Sequence, residues 1–140
     1  MSSIKLHTGI KSYDIEDEYG HIRGQISFNP TDMNFIVRAE KLQENVSALA
    51  EKVMNEQIDD EQGLIKKLEE YDKAIKNEIN ILFDDENTSN IVFGNQSCFN
   101  TVKGTPLVEE FLNAIIPVIR KDFQKEMEKS KDRISKYVGE

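Results

Sequence analysis

Apolar and polar positions alternate along the first thirty residues, then recur every three or four residues for most of the remaining chain. Ile4–His7, Lys11–Glu16 and Ile22–Phe28 are short alternating or β-prone runs, the pattern of half-buried strands. Gly9 and Tyr19-Gly20-His21 punctuate them as turns. The pattern predicts a small antiparallel hairpin or meander over roughly residues 3–28. Two or three strands are marginal alone, so one face has to pack on a helix.

At Asn29-Pro30 the period changes from that of a strand to that of a helix. Asn29 suits an N-cap, Pro30 the first helical position and Asp32 the third, where its charge meets the helix dipole. Thr31 is the alternative cap. On this reading Phe28 at N′ and Met33 at N4 form a hydrophobic staple. Phe35, Ala39, Leu42, Val46, Leu49 and Val53 then form an a/d seam almost three heptads long. After the polar segment Asn55–Gly63 the pattern returns as Leu64, Leu68, Tyr71, Ile75, Ile79 and Leu82, with Asp59 as a cap and Gln62 at N3. Two such seams predict an antiparallel helical hairpin, with Leu42, Val46 and Leu49 packed against Leu68, Tyr71 and Ile75 and arms of roughly 30 Å. A single unbroken helix is the alternative, because no proline lies within Asn55–Gly63.

Asp84-Asp85-Glu86-Asn87 stops the second helix, and a short turn starting at Thr88 or Ser89 runs through Asn90–Phe93 to Gly94. Asn95–Gly104 reads as a polar loop around Cys98 and Phe99. Thr105-Pro106 repeats the cap-then-proline grammar and opens a third long helix to about Lys129, kinked at Pro117, with a charged end, Lys125–Lys136, that frays. Leu107, Val108, Phe111, Leu112, Ala114, Ile115, Ile116, Val118 and Ile119 cover more than one stripe, so this helix is buried on several sides or meets a partner. Phe111, Ile115 and Ile119 share one face and are the candidate protein-partner interface, for self-association or for a client helix. Packing beneath the N-terminal sheet is the simpler reading. The expected fold is α+β and mainly α: one domain over residues 1–140, with a β region at 1–28 and a helical region at 29–140.

Composition narrows function more than fold. The net charge of −8 disfavours nucleic acid, whose phosphates require a cationic face. The imbalance sits in residues 31–87, with 7 basic and 15 acidic side chains, and reads as a solvated helical face. The single Cys98 suits a reducing compartment. No apolar run approaches the ~20 residues of a membrane span, and no apolar leader region precedes a cleavage site, so a soluble cytoplasmic protein is expected.

His7 and His21 lack cysteine neighbours at metal-ligand spacing and read as sheet or turn residues. Cys98 reads as a buried structural thiol. Asp59-Asp60-Glu61 and Asp84-Asp85-Glu86 lack the ligand spacing of a calcium loop and read as helix-end groups. Phosphate-binding loops, nucleophile elbows and HExxH are absent from the sequence. A metal-dependent hydrolase on Asp84 and Asp85 is the enzymatic alternative. The expectation is no catalysis, no cofactor and no metal.

Five stretches carry a family resemblance: "LHTGIKSYDI" (Leu6–Ile15), "ISFNPTDMNFIVR" (Ile26–Arg38), "NIVFG" (Asn90–Gly94), "GTPLVEEFLNAI" (Gly104–Ile115) and "DRISKYVGE" (Asp132–Glu140). With them the chain resembles the tail assembly chaperones encoded in siphovirus-type prophages of Gram-positive bacteria. That resemblance implies a non-enzymatic protein of the bacterial cytoplasm. It would bind the tape measure protein, keep its apolar helices soluble and recruit major tail protein subunits, and would be absent from the finished virion. It also implies that a longer product arises by ribosomal frameshifting. The alternative from another class is a structural tail adaptor or completion protein retained in the particle.

Overall fold

A computed structural model describes residues 2–55 and 60–137 and has an α+β, mainly α architecture. β1 (Lys11–Glu16) and β2 (Ile22–Phe28) form an antiparallel hairpin in which Lys11 faces Phe28 and Ile15 faces Gly24. The register then slips so that Glu16 faces Ile22, leaving Arg23 as the extra residue of a bulge. Asp17 shapes the turn: its Oδ1 accepts from the backbone N–H groups of Tyr19 at 2.9 Å and His21 at 3.0 Å. These hydrogen bonds, that from His21 foremost, hold the Asp17 carboxyl below the usual carboxylate range. Ile26 and Phe28 point into the core, while Gln25 and Ser27 face solvent. Ile4–His7 is not a strand. Gly9 sits at φ +85° and the Asn29 side-chain amide donates to the Thr8 carbonyl, which turns residues 2–8 away from the sheet and leaves them exposed.

α1 (Met33–Asn55) starts later than the sequence grammar suggests. Asn29 and Pro30 are used in a turn, where Asn29 Oδ1 accepts from the Thr31 N–H at 3.1 Å and its hydroxyl at 2.8 Å. Asp32 is the cap: its carbonyl accepts the Ile36 N–H at 3.1 Å and its Oδ1 accepts the Asn34 N–H at 3.0 Å. With the frame moved, Met33 is 60% exposed and the staple is not made. Phe28 stacks on Phe35 instead, at 5.1 Å between ring centroids.

α2 (Glu61–Phe83) is capped by Asp60, whose Oδ1 accepts the Gly63 N–H at 2.6 Å. Asp59, and the side chain of Val53 at the end of the first seam, lie outside the described residues. Asp84 closes α2 in the left-handed region at φ 53°, with its N–H on the Ile81 carbonyl and the Asp85 N–H on the Asn80 carbonyl, a Schellman closure. α1 and α2 are antiparallel: Phe35, near the start of one, lies 5.4 Å from Phe83 at the end of the other. Leu42, Val46 and Ile75 are buried in the seam, and Leu49, Leu68 and Tyr71 are half-buried. α3 (Thr88–Phe93) follows as expected, its Ser89 N–H held by Asn80 Oδ1 at 2.8 Å, and ends at Gly94.

Within the loop that follows, β3 (Thr101–Val102) and β4 (Thr105–Pro106) form a second, two-residue ladder. Lys103 and Gly104 at φ 56° and 83° make the left-handed pair of a type I′ turn. α4 (Leu107–Tyr137) therefore begins after Pro106, and its first N–H groups are satisfied by the loop: Leu107 donates to the Asn100 carbonyl and Val108 to the Cys98 carbonyl, both at 2.9 Å. The helix is continuous through Pro117 and extends to Tyr137, beyond the expected end near Lys129. It runs antiparallel to α1, joined by Gln43 to Asn113 at 3.1 Å and by Arg120 to Glu40 at 3.1 Å.

One ring from each major element meets at the centre. Tyr13 of β1 stacks on Phe28 of β2 at 4.7 Å, Phe28 and Phe35 of α1 both meet Phe83 of α2, Phe83 meets Phe111 of α4, and Phe111 meets Phe93 of α3.

Candidate partner-binding surface

The three residues expected at a partner interface are inside. Phe111 is 8%, Ile115 7% and Ile119 1% exposed, and all three belong to the same buried cluster as Val108 and Leu112. α4 carries apolar residues on several sides because it packs against α1, abuts β4, and receives the rings of Phe83 and Phe93. Those side chains are covered by the chain's own elements, so they offer no outward surface in this conformation. Counting stripes shows that a helix is buried on several sides, not what buries it.

The outward apolar surface lies elsewhere. Arg38, Lys41, Leu42 and Asn45 of α1 face Glu78, Ile81 and Leu82 of α2 across a groove that holds a cavity of ≈ 150 Å³. Leu42 and Leu82 form its floor, Ile81 rises from one wall at 66% exposure, and Arg38, Lys41 and Glu78 supply charges along the rim. Val37, 56% exposed, precedes Lys41 by one helical turn. The groove follows from the packing: the seams bury one side of each arm, α4 takes one flank of α1, and α2 lies along the other. Ile81 and Val37 fall outside the a/d spacing and were not singled out by the sequence reading. The available signal was an apolar residue in a slot where the heptad calls for a polar one. A second exposed apolar stretch is the N-terminal segment, with Ile4 91%, Leu6 76% and Ile10 62% exposed.

Cys98, Asp72, Asp84 and Asp85 have partners within the fold. Cys98 is fully buried, and its N–H donates to Asp72 Oδ1 at 2.7 Å. Lys76 Nζ lies 3.1 Å from Asp72 Oδ2 and donates to the Gln96 carbonyl at 2.8 Å, which ties the loop after α3 to α2. Burial pushes the Asp72 carboxyl upward, but the Cys98 N–H and the Lys76 ammonium together outweigh it and hold the group below the usual carboxylate range. Burial, and then the neighbouring Asp72 carboxylate, push the Cys98 thiol strongly up, so it stays protonated and is a poor nucleophile. His7 and His21 are exposed, with His21 Nδ1 3.5 Å from Asp17 Oδ2. Asp85 Oδ1 accepts the Asn87 N–H at 2.9 Å, so Asp84 and Asp85 both act in the link between α2 and α3.

Among the described residues no three His, Cys, Asp or Glu side chains converge as a metal site, and no helix is long and apolar enough to cross a membrane. Neither a family model, nor a curated protein, nor a solved structure matches the chain.

Proposed function

We propose that the chain is a non-enzymatic tail assembly chaperone that holds helices of a tape measure protein and brings major tail protein subunits to them. The observation that carries this reading is the groove between α1 and α2. Two antiparallel helices with an apolar floor and an exposed Ile81 can accept a third amphipathic helix, the helix-in-groove mode of recognition. Rim charges of both signs from Arg38, Lys41 and Glu78 would orient that helix and set its register. The acidic middle of the chain supports the same role, since a like-charged, well-solvated body keeps an apolar client from aggregating. The family resemblance names the client.

The test is co-expression with a tape measure fragment. The wild-type chain should keep the fragment in the soluble fraction and co-purify with it. Ile81→Asp, at a position exposed enough to leave the fold intact, should abolish both. Retention of full activity by Ile81→Asp would remove the groove from the proposal. Mass spectrometry of purified particles tests the role itself: a chaperone is absent, whereas stoichiometric retention would establish the structural adaptor instead.

A further inference from the structure

The buried face of α4 ends well before the helix does. Ile119 is 1% exposed and Phe123 is half-buried, but every described side chain from Gln124 to Ile134 is exposed. The helix nevertheless continues to Tyr137. A helical segment of this length is marginal in water without tertiary packing. Its sequence is patterned for packing: Phe123, Met127, Ser130 and Ile134 fall at spacings of 4, 3 and 4, an a/d seam, and Met127 and Ile134 are 43% and 61% exposed.

We propose that this arm of α4, Phe123–Ile134, pairs antiparallel with the same arm of a second copy of the chain. The occupant is identified by self-complementarity. In the antiparallel register that sets Phe123 opposite Ile134, Met127 falls opposite Ser130, and Glu126 lies beside Arg133 of the second copy. A two-fold axis makes each of these pairs occur twice. Flanking positions of this kind set partner and orientation in coiled coils. The parallel arrangement fits less well, because it stacks Ser130 on Ser130 in the seam and sets two chains of net charge −8 against each other. It also brings the two bodies side by side, whereas the antiparallel one places them at opposite ends of an overlap of about 18 Å. The pairing uses none of the groove residues and stands independently of the chaperone reading.

Sedimentation equilibrium of the full chain across a concentration series tests the pairing. The wild type should dimerise reversibly. Met127→Asp should weaken the dimer by roughly tenfold or more while leaving the helical circular dichroism of the body unchanged. Glu126→Arg should weaken it as well, by opposing two like charges in each pair. The double variant Glu126→Arg with Arg133→Glu should restore it, since both partners of each pair are exchanged. A wild type that stays monomeric throughout the series would overturn the proposal. So would a dimer indifferent to both single substitutions. A double variant no tighter than Glu126→Arg alone would overturn the antiparallel register.

Discussion

Asp72 sits on the half-buried side of α2, where the seam would admit an apolar residue, and carries a charge there because the loop after α3 needs an acceptor. Its carboxyl titrates below the usual range, so its contribution to stability is fully present above the unfolded-state value and is lost as pH falls through the folded-state value. Asp72→Asn should therefore lower the melting midpoint at neutral pH, and the gap to wild type should close as the pH drops through and below the carboxylate range. Thermal melts at a series of pH values read this directly; a gap of constant width would mean that the charge is irrelevant. The burial of Cys98 was legible from the sequence, but its dependence on Asp72, 26 positions away, was not. No local pattern links two residues that meet only after a helix and a loop have been folded onto each other.

Helix starts show how local grammar and tertiary packing share the decision. Asn29, Thr31 and Asp32 all qualify as caps by residue type, and the docking of Phe28 on Phe35 selects Asp32. Asp32→Ala should cost about 1 kcal/mol in urea denaturation, the ordinary loss for an N-cap. An unchanged midpoint would move the working cap back to Asn29. The two heptad seams were legible because their periodicity spans many turns, and the two antiparallel helices they predict are present. The β3–β4 ladder was not, since two residues per strand carry no period and its turn uses Lys103 rather than the Asn or Gly that would announce it. The strand expected at Ile4–His7 failed for the converse reason: the alternation is real, but Gly9 turns it away from its neighbours.

At the scale of the molecule, Phe83 is the junction of the aromatic cluster, touching the rings of Phe28, Phe35 and Phe111. Phe83→Ala should destabilise the protein by about 3–5 kcal/mol, measured by chemical denaturation, through lost transfer energy and the cavity left behind. A loss below about 1 kcal/mol would show that the surrounding rings collapse to fill the space. The fold class was legible in the sequence, whereas the candidate surface was not. The residues chosen for a partner lie in the core, because an over-apolar helix can be satisfied by its own chain as readily as by another. The groove needed the structure, because it is defined by the flank of α1 that α4 leaves uncovered.

The spread of those rings along the chain also fixes when the protein can fold during synthesis. Tyr13 and Phe111 lie almost a hundred residues apart, and the rings between them cannot be sealed until α4 has left the ribosome. Domains generally fold as units once their chain has emerged, and long-range closure is slow. Once α2 has emerged, the nascent chain therefore carries a helical hairpin with an open aromatic end until α4 follows. The core closes in one late step, once α4 is available to complete the aromatic cluster.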